Sequence, residues 1–425
     1  MLSPRAPGRS RLPLRIALYS HDAMGMGHLR RNLLIAQTLA AALPRATILL
    51  ASGAVEARAF ALPPGVDCLT LPGMKKDLDE GGRYQPRRLS IPTRQLLALR
   101  ADALRASLLA FAPDVLIVDK QPLGMLDELA PALEALRAAG GTRLVLGLRE
   151  VLDEPAVVRR EWLATGAAEL ARQLYDAVWV YGDPAVYDPL QEYGLQAVLG
   201  EKTRYTGYLC QPPRPVATPG ERAALRRELR LPQERLLLCQ VGGGEDGAQV
   251  AEAFAAAPLP EGAGAVLLTG PFMDAGVRAR LQAQAARSPS LRVLSFVPDP
   301  GALLGAAERV VTMGGYNTVC EVLAAGKRSL VVPRVHPRRE QLIRAERLER
   351  LGALDVLAPA DATPAAVSAW LHSGLSAHAG VRPRIDLGGV HRLPGLLLDV
   401  LPAHNPRRRA SARGAGPTLA LGGVQ

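Results

Sequence analysis

The stretch Arg309-Val310-Val311-Thr312-Met313-Gly314-Gly315-Tyr316-Asn317-Thr318-Val319-Cys320-Glu321 decides the fold. A short β-branched run stops at two glycines and gives way to a helical pattern ending at Gly326, the strand–turn–helix step from which parallel sheets are built. Gly314 and Gly315 make the turn, Asn317 is expected to cap the helix, and Gly326 fits the position just past its end. Thr318 and Glu321 match a T-x-x-E capping box, which would give Glu321 a structural task. The competing task is chemical: a carboxylate one turn into a helix beside a phosphate site can accept both hydroxyls of a ribose.

The same step repeats on either side. Strands are expected at Arg15–Ser20, Thr47–Ser52, Asp67–Leu71, Asp114–Asp119, Arg143–Leu148 and Ala177–Tyr181, then at Leu236–Val241, Ala265–Thr269, Leu291–Phe296, Arg309–Thr312, Ser329–Val332 and Leu354–Leu357. Between the two series, Pro-rich residues 211–220 read as a linker. The division predicted is a tail (1–14), a doubly wound α/β domain (15–210), the linker, a second such domain with C-terminal helices (221–400), and a tail (401–425).

Composition narrows the function. Hydrophobic residues at 48% and charged residues at 21% exclude a largely disordered chain. The net charge of +11 suggests nucleic acid until it is located. Arg5, Arg9, Arg11 and Arg15 at one end, and Arg407, Arg408, Arg409 and Arg413 at the other, supply eight of those charges in stretches without an acid. The body between them is nearly balanced, and 4% aromatic residues offers few stacking platforms, so no nucleic-acid partner is expected. Cys68, Cys210, Cys239 and Cys320 have no metal or redox spacing. No apolar run reaches the ~20 residues that span a bilayer, and a cytoplasmic location is expected. The arginine-rich ends leave peripheral contact with the inner membrane face open.

Ligands of doubly wound sheets bind at the carboxyl ends of strands, and four segments there can carry chemistry. His21-Asp22-Ala23-Met24-Gly25-Met26-Gly27-His28 follows the first strand; its glycines admit a ligand to the backbone, and a histidine can act as a base or a phosphate donor. Gly242-Gly243-Gly244 suits a backbone passing a diphosphate, although Glu245 and Asp246 follow, and Asp246 could simply cap the next helix. Met313–Glu321 is the third. The fourth, Pro333–Gln341, enters a helix opened by Pro337; there Glu340 and Gln341 could fork onto vicinal sugar hydroxyls, or Glu340 could pair with Arg344 one turn on. Walker A, G-x-S-x-G and H-E-x-x-H are absent, and the lone D-x-D, Asp77-Leu78-Asp79, lies in a polar stretch.

Together these segments resemble the two-domain glycosyltransferases of the GT-B fold, and among them glycosyltransferase family 28, which includes the peptidoglycan-precursor N-acetylglucosaminyltransferase. The likeness is most specific over Met313–Gln341, where G-G-Y-N-T-V-C-E, Gly326, V-V-P-R and R-R-E-Q keep the family's order. It implies two Rossmann-like domains facing each other across a cleft. It places Gly25, Gly27 and His28 beside the reacting diphosphate, with His28 the general base and His21 the reserve. Gly242, Gly243 and Gly244 fall on the phosphate loop, and Phe296 and Val297 beside the base. Gly314, Gly315, Asn317 and Thr318 fall on the phosphate-facing helix start, Glu321 on the ribose, and Glu340 and Gln341 on the donor sugar.

The implied activity is inverting transfer of a hexose or N-acetylhexosamine from a nucleotide sugar, UDP-linked by expectation. It uses neither metal nor cofactor, and the acceptor is a saccharide, a lipid-linked saccharide or a small molecule. Glu340, where the family commonly has glutamine or aspartate, and the acidic Glu245-Asp246 depart from its pattern. An epimerase or hydrolase on the same fold, or a silent nucleotide-sugar binder, is the alternative. The basic stretch Met74–Ser90 favours transfer if it forms a flap over an acceptor.

Overall fold

The computed structural model describes residues 13–21, 27–54, 60–77, 83–211, 218–297, 300–374 and 384–402. The chain opens with β1 (Arg15–Ser20), α1 (Gly27–Ala42), β2 (Thr47–Ser52), β3 (Val66–Thr70) and the hairpin β4 (Met74–Asp77) and β5 (Arg83–Pro86). It continues through α2 (Thr93–Phe111), β6 (Val115–Asp119), α3 (Ala130–Ala139), β7 (Arg143–Arg149), α4 (Pro155–Thr165), α5 (Ala167–Leu174) and β8 (Ala177–Tyr181), then α6 (Pro189–Tyr193), α7 (Gln196–Leu199) and β9 (Thr203–Tyr205). Seven of these strands form one parallel sheet in the order β3-β2-β1-β6-β7-β8-β9. The order runs outward from β1 in both directions, so helices cover both faces. α1 lies over one core cluster containing Ile16, Leu29 and Leu33, and α2 and α3 over another containing Leu104, Leu116 and Leu133.

The second half repeats the plan. It comprises α8 (Pro219–Glu228), β10 (Arg235–Gln240), α9 (Ala248–Ala256), β11 (Ala263–Leu268), α10 (Ala275–Ala286), β12 (Leu291–Leu294), α11 (Gly301–Ala306) and β13 (Arg309–Thr312), then α12 (Tyr316–Ala324), β14 (Arg328–Val331), α13 (Glu340–Arg350), β15 (Asp355–Val356), α14 (Pro364–His372) and α15 (Gly389–Val400). Its six strands are parallel in the order β12-β11-β10-β13-β14-β15. Two doubly wound sheets are therefore present, as the alternation of patterns requires. The four strands Arg15–Ser20, Thr47–Ser52, Ala177–Tyr181 and Arg309–Thr312 lie on the residues expected, and the other eight differ at their ends by one or two residues.

Several local expectations are corrected. The stretch Met74–Ser90, expected as a flap without regular structure of its own, contains the β4–β5 hairpin, held by pairing of Lys75 with Gln85 that its polar side chains conceal. The linker is shorter than 211–220, because Thr218 caps α8 in a capping box with Glu221. Residues 389–400, assigned to the second domain, pack on the first: Val390, Leu393 and Leu397 join Leu29 and Leu33 in one cluster. That cluster runs on through Tyr316, Val319, Cys320 and Ala345, so apolar packing is continuous from one half to the other. Cys210, Cys239 and Cys320 are buried free thiols, and Cys68 is a free, partly buried one. Residues 1–12 and 403–425, most of both predicted tails, lie outside the described residues, and no described helix is long and apolar enough to cross a membrane.

Candidate functional site

α1 starts at Gly27, so His28 occupies its first turn at the carboxyl edge of the first sheet. The neighbouring strand β6 ends in Asp119, which is fully buried, and the His28 Nδ1 meets Asp119 Oδ2. Arg31, one turn along α1 and 2% exposed, donates to both oxygens of the same carboxylate at 2.7 and 2.6 Å. A carboxylate already accepting from arginine can only accept from the ring, so Nδ1 carries the proton and Nε2 keeps its lone pair. Burial opposes the charge on Asp119, but Arg31 and His28 outweigh it and hold the carboxyl far below its ordinary range. Burial draws His28 below its ordinary pKa against the pull of Asp119. The His28 ring is thus oriented by Asp119 with the lone pair left on Nε2, its side chain 14% exposed.

His21 stands 4.7 Å from His28, ring to ring. It is buried with Nδ1 unpartnered, and burial followed by repulsion from His28 and Lys120 lowers its pKa well below the usual value. The two expected histidines are brought together, and the more open one has the partner. Gly25 lies outside the described residues.

Across the cleft, Gly314 adopts φ 83°, and a Cβ there would lie 2.7 Å from Val331 Cγ1, so the turn admits only glycine. α12 then starts at Tyr316, two residues earlier than Asn317 would allow as a cap. Gly315 is the cap residue and no side chain caps it. Asn317 instead donates from Nδ2 to the Gly27 carbonyl at 3.0 Å, joining the two helix starts. Thr318 is therefore inside the first turn and no capping box forms. Glu321 turns toward the other half, where its Oε1 receives Arg30 Nη2 at 2.5 Å. Tyr316 is the hub between the halves: its hydroxyl accepts from the Leu209 N–H at 3.0 Å, and the guanidiniums of Arg31 and Arg344 each lie over its ring, 5.6 Å from the centroid.

Of the glycines after β10, Gly244 is required by crowding. Gly244 has φ 95°, and a Cβ there would fall 2.2 Å from the Thr269 carbonyl. Asp246 caps nothing, since Gly247 precedes α9. It pairs with Arg334 at 3.0 Å, and Arg334 also holds Glu340 at 2.5 Å. Glu340 is 3% exposed and pairs with Arg334 rather than Arg344, while Gln341 Oε1 accepts from the Arg334 N–H at 3.0 Å. Asp246 and Glu340 thus meet one arginine, which gives Asp246 a counter-charge beside the glycines. α13 begins at Glu340, three residues after Pro337, because Arg338 and Arg339 are drawn to Asp153, Glu154 and Glu161 of the first half. Phe296 meets Phe60 of the first half edge-on at 6.2 Å, and Val297 packs into the second core.

Asp119, Arg31, Arg30 and Arg334 escaped the sequence reading. Asp119 had a usable signal: an acid ending the apolar run Val115–Val118 lies at a strand's carboxyl end, where ligand-facing residues collect. The arginines had none, being three among 46 in the chain.

Two parallel, doubly wound sheets facing each other with their strand ends at a common cleft define the GT-B fold. Solved structures of that architecture superpose on nearly the whole chain: the glycosyltransferase of kitacinnamycin (TM-score 0.58, 21% identity, 92% of this chain and 100% of that one) and Acinetobacter baumannii MurG (TM-score 0.53, 15% identity, 92% and 99%). Residues 243–378 match the glycosyltransferase family 28 C-terminal domain, and the chain is a GT-B protein resembling that family. Curated relatives are similar over shorter stretches. The UDP-N-acetylglucosamine–N-acetylmuramyl-(pentapeptide) pyrophosphoryl-undecaprenol N-acetylglucosamine transferase of Klebsiella pneumoniae subsp. pneumoniae is 38% identical over 89 residues, 21% of this chain and 25% of that protein. Its namesake in Sorangium cellulosum is 33% identical over 149 residues, 33% and 36%. The chain therefore matches about a quarter to a third of the length of these relatives.

Proposed function

We propose that the protein is a glycosyltransferase that moves a hexose or N-acetylhexosamine from a UDP-sugar to an acceptor hydroxyl, with inversion and without a metal. The observation that carries this reading is the His28–Asp119–Arg31 set lying directly against the Gly314–Glu321 helix start, joined by the Asn317–Gly27 hydrogen bond. The family 28 match over the second half and the relatives' UDP-N-acetylglucosamine donor support it. In the proposed step the acceptor hydroxyl gives its proton to His28 Nε2 as its oxygen bonds to the anomeric carbon. The bond from that carbon to the diphosphate breaks, and its electron pair leaves on UDP. Asp119 steadies the imidazolium formed, and the first turn of α12 with the glycine loops holds the leaving diphosphate through backbone N–H groups. Glu321 takes the ribose hydroxyls when Arg30 releases it, and Glu340 and Gln341 read the sugar. The acceptor is a saccharide, a lipid-linked saccharide or a small molecule, and peripheral contact with the membrane belongs to the same proposal.

Calorimetric titration with UDP in the presence of a chelator tests the donor side, with ADP and GDP as controls. Micromolar UDP affinity is expected, falling roughly 10- to 100-fold in Glu321→Ala as a charged acceptor of two hydrogen bonds is lost. Unchanged affinity would return Glu321 to the Arg30 pair alone. Arg334→Ala should weaken the UDP-sugar about tenfold while moving UDP itself less than threefold, because Arg334 fixes the sugar-side Glu340 and Gln341. Equal losses for both ligands would remove that pair from the sugar.

A further inference from the structure

Two cations beside the proposed base have no role in the transfer step described above. Lys120 follows Asp119 and has φ 70°, a left-handed backbone that a residue with a Cβ adopts only at a cost. Its N–H donates to the Gly147 carbonyl at 2.8 Å, which ties the end of β6 to β7. Arg149 ends β7, so both cations leave the same edge of the sheet. Arg149 Nε is buried without a partner, and among the described residues neither side chain is engaged in an ion pair.

Most acids nearby are already committed. Asp119 belongs to His28 and Arg31, Glu150 to Arg344 and Asp153 to Arg338, while Glu340 gives one oxygen to Arg334 and keeps Oε2 buried without a partner. Burial, then repulsion from Arg149 and Arg338, brings the Lys120 amine down to about 7, against weaker attraction from Glu340 and Asp119. Arg149 is likewise lowered by burial, with Glu340 opposing and Arg31 and Arg344 adding to the effect. Uncompensated cations in a cleft wall are costly unless an anion arrives, and a strained lysine held there points to a role for the charge.

We propose that Lys120 and Arg149 form an oxyanion subsite for the acceptor. A phosphate or carboxylate of the acceptor sits between them, and a hydroxyl of the same molecule reaches His28 Nε2. This rests on the base assignment above and is separate from the donor diphosphate, which faces the glycine turns of the second half.

The test is titration of the full chain with inorganic phosphate and with acetate, each on the free protein and under saturating UDP, which fills the donor site. At least one anion should bind UDP-saturated wild type, and the stronger of the two identifies the oxyanion class. Affinity should fall about tenfold in Lys120→Gln and in Arg149→Gln and persist in Lys120→Arg. Lys120→Gly relaxes the backbone, so it should keep or raise the melting temperature while losing the anion, which separates charge from folding. Absence of anion binding under UDP, or equal binding in both Gln variants, overturns the proposal. If UDP itself does not bind, the donor reading falls, while anion binding to the free protein that is lost in the Gln variants still supports the subsite.

Discussion

His28→Ala lowers the turnover number by roughly 10²- to 10⁴-fold while UDP affinity stays within a few-fold of wild type. The magnitude is that of a positioned general base. The split follows from geometry: the Nδ1 of His28 is committed to Asp119, and the ring is not among the groups proposed to hold UDP. The pH profile adds a second readout. Protonated His28 cannot accept a proton, and burial sets its pKa below the ordinary value, so the wild-type rate should rise through a midpoint under about 6.5 and then level off. That acid limb should vanish in the alanine variant. A variant that keeps wild-type turnover would remove His28 from the chemistry and pass the role of base to another group.

Glu150→Ala costs about 3–5 kcal/mol of stability, measured by denaturant unfolding. Glu150 and Arg344 are both fully buried and lie in different halves, 2.5 Å apart, with Tyr208 donating its hydroxyl to the same carboxylate at 3.2 Å. Deleting the carboxylate leaves a guanidinium with no counter-charge in the interior, the costly way to break such a pair. Replacing both, as Glu150→Leu with Arg344→Met, should recover most of the loss, since two apolar residues leave no orphaned charge. A single substitution costing less than about 1 kcal/mol would mean that water reaches Arg344. The exposed pairs at the same boundary, such as Arg339–Glu154, are each worth far less. Because Arg344 also packs on Tyr316 and contacts the Gly314 carbonyl, Glu150→Ala should loosen UDP binding as well.

Which parts of this were legible in the sequence follows from what each signal measures. Strand–turn–helix alternation reports backbone periodicity, so both sheets and the glycine turns could be read directly. His28 and Glu321 could be read because they follow strand ends. Side-chain partners that join residues 91 or 291 positions apart, as in His28–Asp119 and Arg30–Glu321, leave no periodic trace. Capping expectations failed for a related reason. Asn317, Asp246 and Pro337 are good local signals, but tertiary partners displaced each helix start: the first half holds Asn317 and the arginines after Pro337, and Asp246 is held by Arg334 of its own half. The β4–β5 hairpin was invisible because its stability comes from strand pairing rather than from alternating apolar residues.

The return of α15 to α1 bears on how such proteins can be recombined. The chain passes from the first half to the second near residue 211 and comes back before Gly389, so the second half is an insertion into the first rather than an appendage to it. A chimera made by a single crossover in the linker would bring a foreign α15 onto α1 and mismatch Val390, Leu393 and Leu397 against Leu29 and Leu33. Exchanging donor specificity between relatives therefore calls for two junctions, one on each side of residues 218–374, with the last helix kept alongside the half it covers.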